Sequence, residues 1–169
     1  MEIFATERLI LREFTATDAA FILRLLNEPS WLRFIGDRGV RSLAEAEAYI
    51  AKGPAASYAL HGFGLWLVSR RADGVPLGMC GLLKRATLED VDVGYAFLPE
   101  FCGQGYAREA VAATLARGRR AYGLKRIVAI TAPDNESSIR LLGKLGFRFE
   151  KLIGSAPNIP ESKLFASEA

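Results

Sequence analysis

From Arg8 to Phe14 the chain sets Leu9, Leu11 and, further back, Ala5 against Arg8, Ile10 and Arg12, a strand-like mixture. The period then lengthens. Thr17 and Asp18 open a helical stretch with Phe21, Ile22, Leu25 and Leu26 at helical spacing, and Pro29 is expected to end it. Ser42 with Glu45 three residues later reads as a capping box, predicting a helix over about Leu43 to Ala51. Gly53-Pro54 is expected to interrupt it, with a second short helical piece to about Leu60. Strand character returns over Leu65 to Arg70 and Leu77 to Leu83, joined by a turn at Asp73-Gly74. In Val91 to Leu98, residues Val91, Val93, Tyr95 and Phe97 alternate with Asp92, Gly94 and Ala96. An Ala-rich helix over Ala107 to Tyr122 meets a C-cap at Gly123. Arg126 to Thr131 is β-rich, Ser137 to Leu145 is a helix closed by Gly146, and Phe147 to Leu152 and Lys163 to Ala166 supply final strands. The pattern predicts one mixed α/β (α+β) domain over residues 1–169, a mostly antiparallel central sheet flanked by helices.

Composition narrows the function classes. The chain has 169 residues, 50% hydrophobic and 24% charged, an ordinary globular balance. The net charge of +3 is mild. The densest basic run, Arg117, Arg119, Arg120, Lys125 and Arg126, is too short for a sustained nucleic-acid face, so no nucleic-acid partner is expected. Cys80 and Cys102 stand far apart, and His61 is the single histidine, so neither a disulfide framework nor a metal site is expected. Met1 to Phe14 lacks the basic-then-apolar run of a signal peptide, and no apolar run reaches membrane-spanning length, which gives a cytoplasmic expectation and no membrane partner.

The most informative local feature is Pro99-Glu100-Phe101-Cys102-Gly103-Gln104-Gly105-Tyr106-Ala107, between a strand and the long helix. Glycines let backbone N–H groups approach a ligand, and a helix N-terminus adds unsatisfied donors and partial positive charge. Together they suit a phosphate or pyrophosphate. A P-loop would need Gly-Lys-Ser/Thr, and no such lysine follows. A dinucleotide fingerprint would need a small residue where Arg108 stands, and an acid where Lys125 and Arg126 stand. A plain glycine-rich turn is the alternative.

Val93-Gly94-Tyr95, Pro99 and Gly103 through Ala110 resemble the cofactor motif of the GNAT acetyltransferase superfamily, whose Gln/Arg-x-x-Gly-x-Gly/Ala pattern falls here on Cys102 to Ala107. Gly105 and Ala107 match, whereas Cys102 stands in place of Gln or Arg. Thr6 through Arg12 resembles the opening strand of the RimJ/RimL type, which acetylates ribosomal-protein N-termini. Asn135-Glu136-Ser137-Ser138 and Leu145-Gly146-Phe147 resemble that branch's Asn-x-x-Ser helix and its exit.

The resemblance implies acetyl transfer from acetyl-CoA to an amine, with no metal. Backbone groups of Cys102, Gly103, Gln104, Gly105, Tyr106, Ala107 and Arg108 are expected to bind the pyrophosphate. The family's strand matching Val91 to Leu98 splays from the one starting at Arg126, freeing backbone groups around Phe97 and Leu98 for the pantetheine amides and thioester oxygen. Asn135 is either a helix N-cap or a contact to the pantetheine arm, and both roles are compatible. The resemblance makes Ser138 the candidate to protonate the leaving thiolate. Asp92 is the first-choice base, with Glu89, Asp90 and Glu100 as alternatives and a water chain as another. Tyr95 reads as a core aromatic or pocket residue, Cys102 as a spectator, and Trp31 and Arg33 as residues that can touch substrate. The acceptor, a peptide or protein N-terminus or a small-molecule amine, is not written in the motifs, and a homodimer is left open. A non-catalytic acyl-CoA-binding regulatory module is the competing reading.

Overall fold

The computed structural model describes residues 2–154 and 160–169. Eight strands form one sheet: β1 (Glu2–Ala5), β2 (Leu9–Arg12), β3 (Leu65–Arg70), β4 (Pro76–Leu83), β5 (Asp92–Phe97), β6 (Arg126–Thr131), β7 (Arg148–Ile153) and β8 (Ser162–Glu168). The helices are α1 (Ala19–Leu26), α2 (Pro29–Phe34), α3 (Leu43–Ile50), α4 (Ala56–His61), α5 (Tyr106–Tyr122) and α6 (Glu136–Lys144). The strand order is β1-β2-β3-β4-β5-β6-β8-β7. Among the described residues only β5 and β6 pair in parallel; α5 supplies their crossover.

Alternation sorts the strands onto two faces. Leu9, Leu11, Trp66, Val68, Leu82, Val93 and Tyr95 turn to one side, where Ala110, Val111 and Leu115 of α5 and Leu142 of α6 cover them. Leu67, Met79 and Ala96 turn to the other, under Ile22, Leu25 and Leu26 of α1 and Ala46 and Ile50 of α3. The predicted mixed, mostly antiparallel sheet is therefore the one observed.

Several local expectations change. Pro29 does not merely end a helix: α1 stops at Leu26, and Pro29 opens the unforeseen α2 from its first turn, where a missing N–H costs nothing. Gly53-Pro54 does not break the chain's helical course. A π-helical turn over Ala51–Ala55 buries Pro54 and leads straight into α4. Ser42 caps α3 by accepting from the Glu45 N–H at 3.1 Å, but the Glu45 carboxylate accepts from the Arg41 N–H, one residue before the position a capping box requires. β1 also lies outside the strand read from the sequence. The Asp73-Gly74 turn forms, with Gly74 at φ +74° and its N–H donating to Arg70 O at 2.7 Å. No helix among the described residues is long and apolar enough to cross a membrane.

Candidate active site

The loop between β5 and α5 is built to present donors. Gly103 and Gly105 hold φ of +76° and +83°, a region that L side chains rarely enter. Gly105 is the residue before the first helical turn, and no side chain caps that end. The first bond into the helix runs from the Glu109 N–H to Gly105 O at 3.1 Å. The N–H groups of Gly103, Gln104, Gly105, Tyr106, Ala107 and Arg108 therefore have no hydrogen-bond partner among the described residues. Six free donors at a helix N-terminus suit a diphosphate. The side chains play other parts. Gln104 turns back to donate to Glu100 O at 2.9 Å, Tyr106 is buried in the core, and Arg108 is exposed on the first helical turn. Cys102, expected to offer its backbone to the pyrophosphate, is a correction: its N–H is spent on Pro99 O at 3.2 Å. Its Sγ donates to Leu98 O at 3.6 Å, and burial with the nearby Glu100 pushes its thiol pKa up, which fits a spectator.

A clamp far away in sequence fixes this loop. Glu109 accepts from the Thr6 hydroxyl at 2.5 Å, from the Arg8 N–H at 2.9 Å and from Arg8 Nε at 2.7 Å. The same guanidinium donates to Gln104 O at 2.9 Å and lies 4.5 Å above the Tyr106 ring. Arg8 thus ties the start of β2 to the loop through a carbonyl, which leaves the loop's N–H groups free.

Strands β5 and β6 meet only at their start. Asp92 pairs with Val128, whose N–H donates to Val91 O at 3.0 Å, and no later residue of β5 pairs with β6. Beyond this point Ile130 and Thr131 pair only with β8. This is the splay that the resemblance implied. Leu98 donates its N–H to Leu77 O at 2.9 Å, so Leu98, Ala96 and Gly94 turn their backbone groups toward β4. Alternation then turns those of Tyr95 and Phe97 into the gap. Leu98, expected to offer unpaired groups there, is a correction. Its N–H is spent on β4, its carbonyl accepts from the Phe101 N–H, and its side chain is buried.

A cleft of about 480 Å³ opens along this splay, lined by Tyr95, Phe97, Ala107, Thr131, Asn135 and Ser138, among others. Asn135 is the N-cap of α6, with Oδ1 accepting from the Ser138 N–H at 3.3 Å, and it lines the cleft as well. That cap sets the position of Ser138, whose Oγ lies 2.5 Å from the Tyr95 hydroxyl. Of the two readings of Tyr95, core aromatic or pocket residue, its place in the cleft lining favours the pocket. Burial pushes its phenol up to about 12, against a bond with Ser138 that lowers it.

The cleft continues past β5 toward α1, α2 and α3, where Glu28, Trp31, Phe34, Tyr49, Arg85 and Asp92 line it. Trp31 is anchored by Nε1 donating to Gly36 O at 3.0 Å. Arg33 is exposed and pairs with Asp134 at 3.3 Å, joining α2 to the segment before α6. Asp92 is 1% exposed, and both of its oxygens accept from Arg85 Nε at 3.1 Å. Burial raises its pKa, and the Arg85 charge works against that rise. Of the alternative carboxylates, Asp90 is engaged with Arg126 at 2.9 Å and Glu100 with Arg24 at 2.6 Å, while Glu89 is exposed. Among the described residues no cluster of His, Cys, Asp or Glu could hold a metal ion.

Comparison with known proteins decides the family. The acetyltransferase (GNAT) domain pattern matches residues 8–148. The chain belongs to the GNAT acetyltransferase family. It is accordingly an acyltransferase, and GNAT acetyltransferases use acetyl-CoA. The uncharacterised N-acetyltransferase YoaA of Bacillus subtilis is 32% identical over 152 residues, 89% of this chain and 85% of that protein. Two solved structures share the fold. A GNAT-family acetyltransferase from Bacillus anthracis superposes with a TM-score of 0.80 at 24% identity, over 99% of this chain and 98% of that one. RimL, the ribosomal L7/L12 α-N-protein acetyltransferase in complex with coenzyme A, gives 0.84 at 17% identity, over 99% and 98%. The likeness to RimL is one of fold.

Three features of this GNAT site escaped the sequence: the Arg8–Glu109 clamp, the Tyr95–Ser138 pair and the Arg85–Asp92 pair. Each joins residues that no local pattern links. The one available signal was Glu109 in the first turn of a helix with no other cap, a position where a carboxylate favours the helix dipole.

Proposed function

We propose that this protein transfers the acetyl group of acetyl-CoA to a primary amine, by direct attack within a ternary complex. The observation that carries the reading is the set of six partnerless N–H groups from Gly103 to Arg108 at the mouth of the splayed β5–β6 gap. These residues fit the co-substrate: the loop N–H groups would hold its diphosphate, and the Tyr95 and Phe97 backbone groups its pantetheine amides and thioester oxygen. Bound there, it supplies an activated acetyl group and a thiol leaving group. Alignment of amine and thioester in one cleft supplies much of the acceleration, about 7–11 kcal/mol in well-oriented systems. Ser138 Oγ donates a hydrogen bond to the departing sulfur. Asp92, on the far side of β5, accepts the amine's proton; its burial makes it more basic than a surface carboxylate, and Arg85 opposes full neutralisation. The acceptor enters past Trp31 and Tyr49. A peptide α-amine and a small-molecule amine both belong to the class that this cleft admits.

Thiol release from acetyl-CoA across a panel of amines and N-terminal peptides, with mass spectrometry of the products, tests the reading. Acetylated product from at least one amine is expected. Tight coenzyme A binding with no transfer to any amine would assign the chain instead to an acyl-CoA-binding module.

A further inference from the structure

Tyr95 carries one phenolic proton, and Ser138 Oγ is its sole hydrogen-bond partner among the described residues. Burial keeps that phenol protonated throughout the neutral range. The titratable neighbour across β4 is Cys80, paired with Tyr95 in register; its thiol is fully buried, pushed up to about 12, and uncharged. The direction of the hydroxyl bond follows from acidity. Both hydroxyls line the cleft, but a phenol O–H is far more acidic than an aliphatic alcohol and is the stronger donor, while the serine oxygen is the stronger acceptor. Tyr95 therefore donates and Ser138 Oγ accepts. That leaves the single Ser138 proton unused, because no other protein group bonds Ser138 Oγ among the described residues. Ser138 lines the cleft, so the unused proton faces it.

We infer that Tyr95 is a positioning residue that holds Ser138 as a hydrogen-bond donor aimed into the cleft, toward the sulfur of coenzyme A. The inference rests on the reading of Ser138 given above. A donor whose oxygen already accepts a bond is polarised and donates more strongly, and its rotor is fixed. When the C–S bond breaks, its electron pair leaves on sulfur, which accepts the Ser138 O–H. Tyr95 keeps its own proton and stays bonded to Ser138. The proton shed by the amine goes to Asp92 and on to solvent, so neither hydroxyl is consumed.

The test measures the thiol of bound coenzyme A, which needs no acceptor. Thiolate absorbance is followed against pH in the complexes of wild type, Tyr95→Phe, Ser138→Ala and the double variant. Each single variant is expected to lower the bound thiolate-to-thiol ratio at a given pH by roughly threefold to tenfold. The double variant should fall no further than Ser138→Ala, while coenzyme A affinity stays within about twofold throughout. An unchanged ratio in Tyr95→Phe beside a fall in Ser138→Ala would overturn this inference alone. No fall in Ser138→Ala would overturn it together with the reading of Ser138. An additive double variant would show Tyr95 acting independently of Ser138, and would also refute it. Should Tyr95→Phe fold poorly, tyrosine-labelled wild type supplies the second readout. The Tyr95 ring signal should shift as bound coenzyme A titrates and stay still with the desulfo analogue; a signal blind to the thiol would refute the inference.

Discussion

Gly105→Val is the sharpest probe of the donor site. Gly105 holds φ +83°, and a Cβ added there would stand 3.2 Å from Arg8 Nη2. That guanidinium is no loose end, since Glu109 and the Gln104 carbonyl hold it at 2.7 and 2.9 Å. A left-handed conformation costs a non-glycine residue about 1–2 kcal/mol, and valine's two γ-methyls crowd Arg8 further. The strain is relieved by moving the loop, which withdraws N–H groups from the diphosphate. One charge-assisted hydrogen bond is worth about 1.5–3 kcal/mol, so losing one weakens coenzyme A binding by roughly 10- to 100-fold. The global cost is confined to the strain itself, about 2–8 °C of melting temperature for a domain of this size. Calorimetric titration with coenzyme A beside a thermal melt reads both numbers. Gly103→Val is the internal control: φ is again positive at +76°, but nothing lies within 4 Å of the added Cβ, so its affinity loss should be the smaller. A folded Gly105→Val protein that binds coenzyme A within twofold of wild type would remove the loop from the donor site.

The other expectations concern single groups. Ser138→Ala should lower turnover while leaving coenzyme A affinity intact, and unchanged turnover on an accepted amine would take Ser138 out of the chemistry. For Glu109, burial pushes the carboxyl pKa up, but the bonds from Thr6 and Arg8 outweigh it and leave the folded value below the ordinary one. Its stabilisation is therefore present above the unfolded pKa near ~4.3 and is lost as pH falls through the folded value. Glu109→Gln should cost about 1–2 kcal/mol at neutral pH and flatten stability loss below about pH 4.3; parallel acid-denaturation curves for the two proteins would contradict this. Arg85→Gln removes the charge that opposes the raised pKa of Asp92, so the acid limb of the kcat/KM profile should move to higher pH. A limb that stays in place would show that Asp92 does not set it. Gly143→Ala, inside α6 with open space around the new methyl, should stabilise the fold by about 0.5–1 kcal/mol in a chemical melt.

What the sequence determined by itself was local. Alternation in β5, the glycines at 103 and 105, and the Asn135 cap before Ser138 all lie within a few residues of one another, and short-range sterics and hydrogen bonding enforce them in any fold. The two prolines show where local reading stops. Pro29 and Pro54 are helix breakers in a helix interior, yet Pro29 opens α2 at a first turn that needs no N–H, and Pro54 sits buried in a π-helical turn where tertiary packing outweighs propensity. Only the tertiary structure could decide the site's pairings. Arg8 meets Glu109 across 101 positions, and Tyr95 meets Ser138 across 43, because α5 crosses over and returns the chain as a parallel β6 beside β5. The same crossover opens the gap. Parallel neighbours that share one register position leave Tyr95 and Phe97 facing empty space, whereas Leu98, one residue on, is already claimed by β4. The donor loop could be read from its own residues. The choice of free backbone groups, and of the hydroxyl pair that lines the cleft, came from contacts between distant segments.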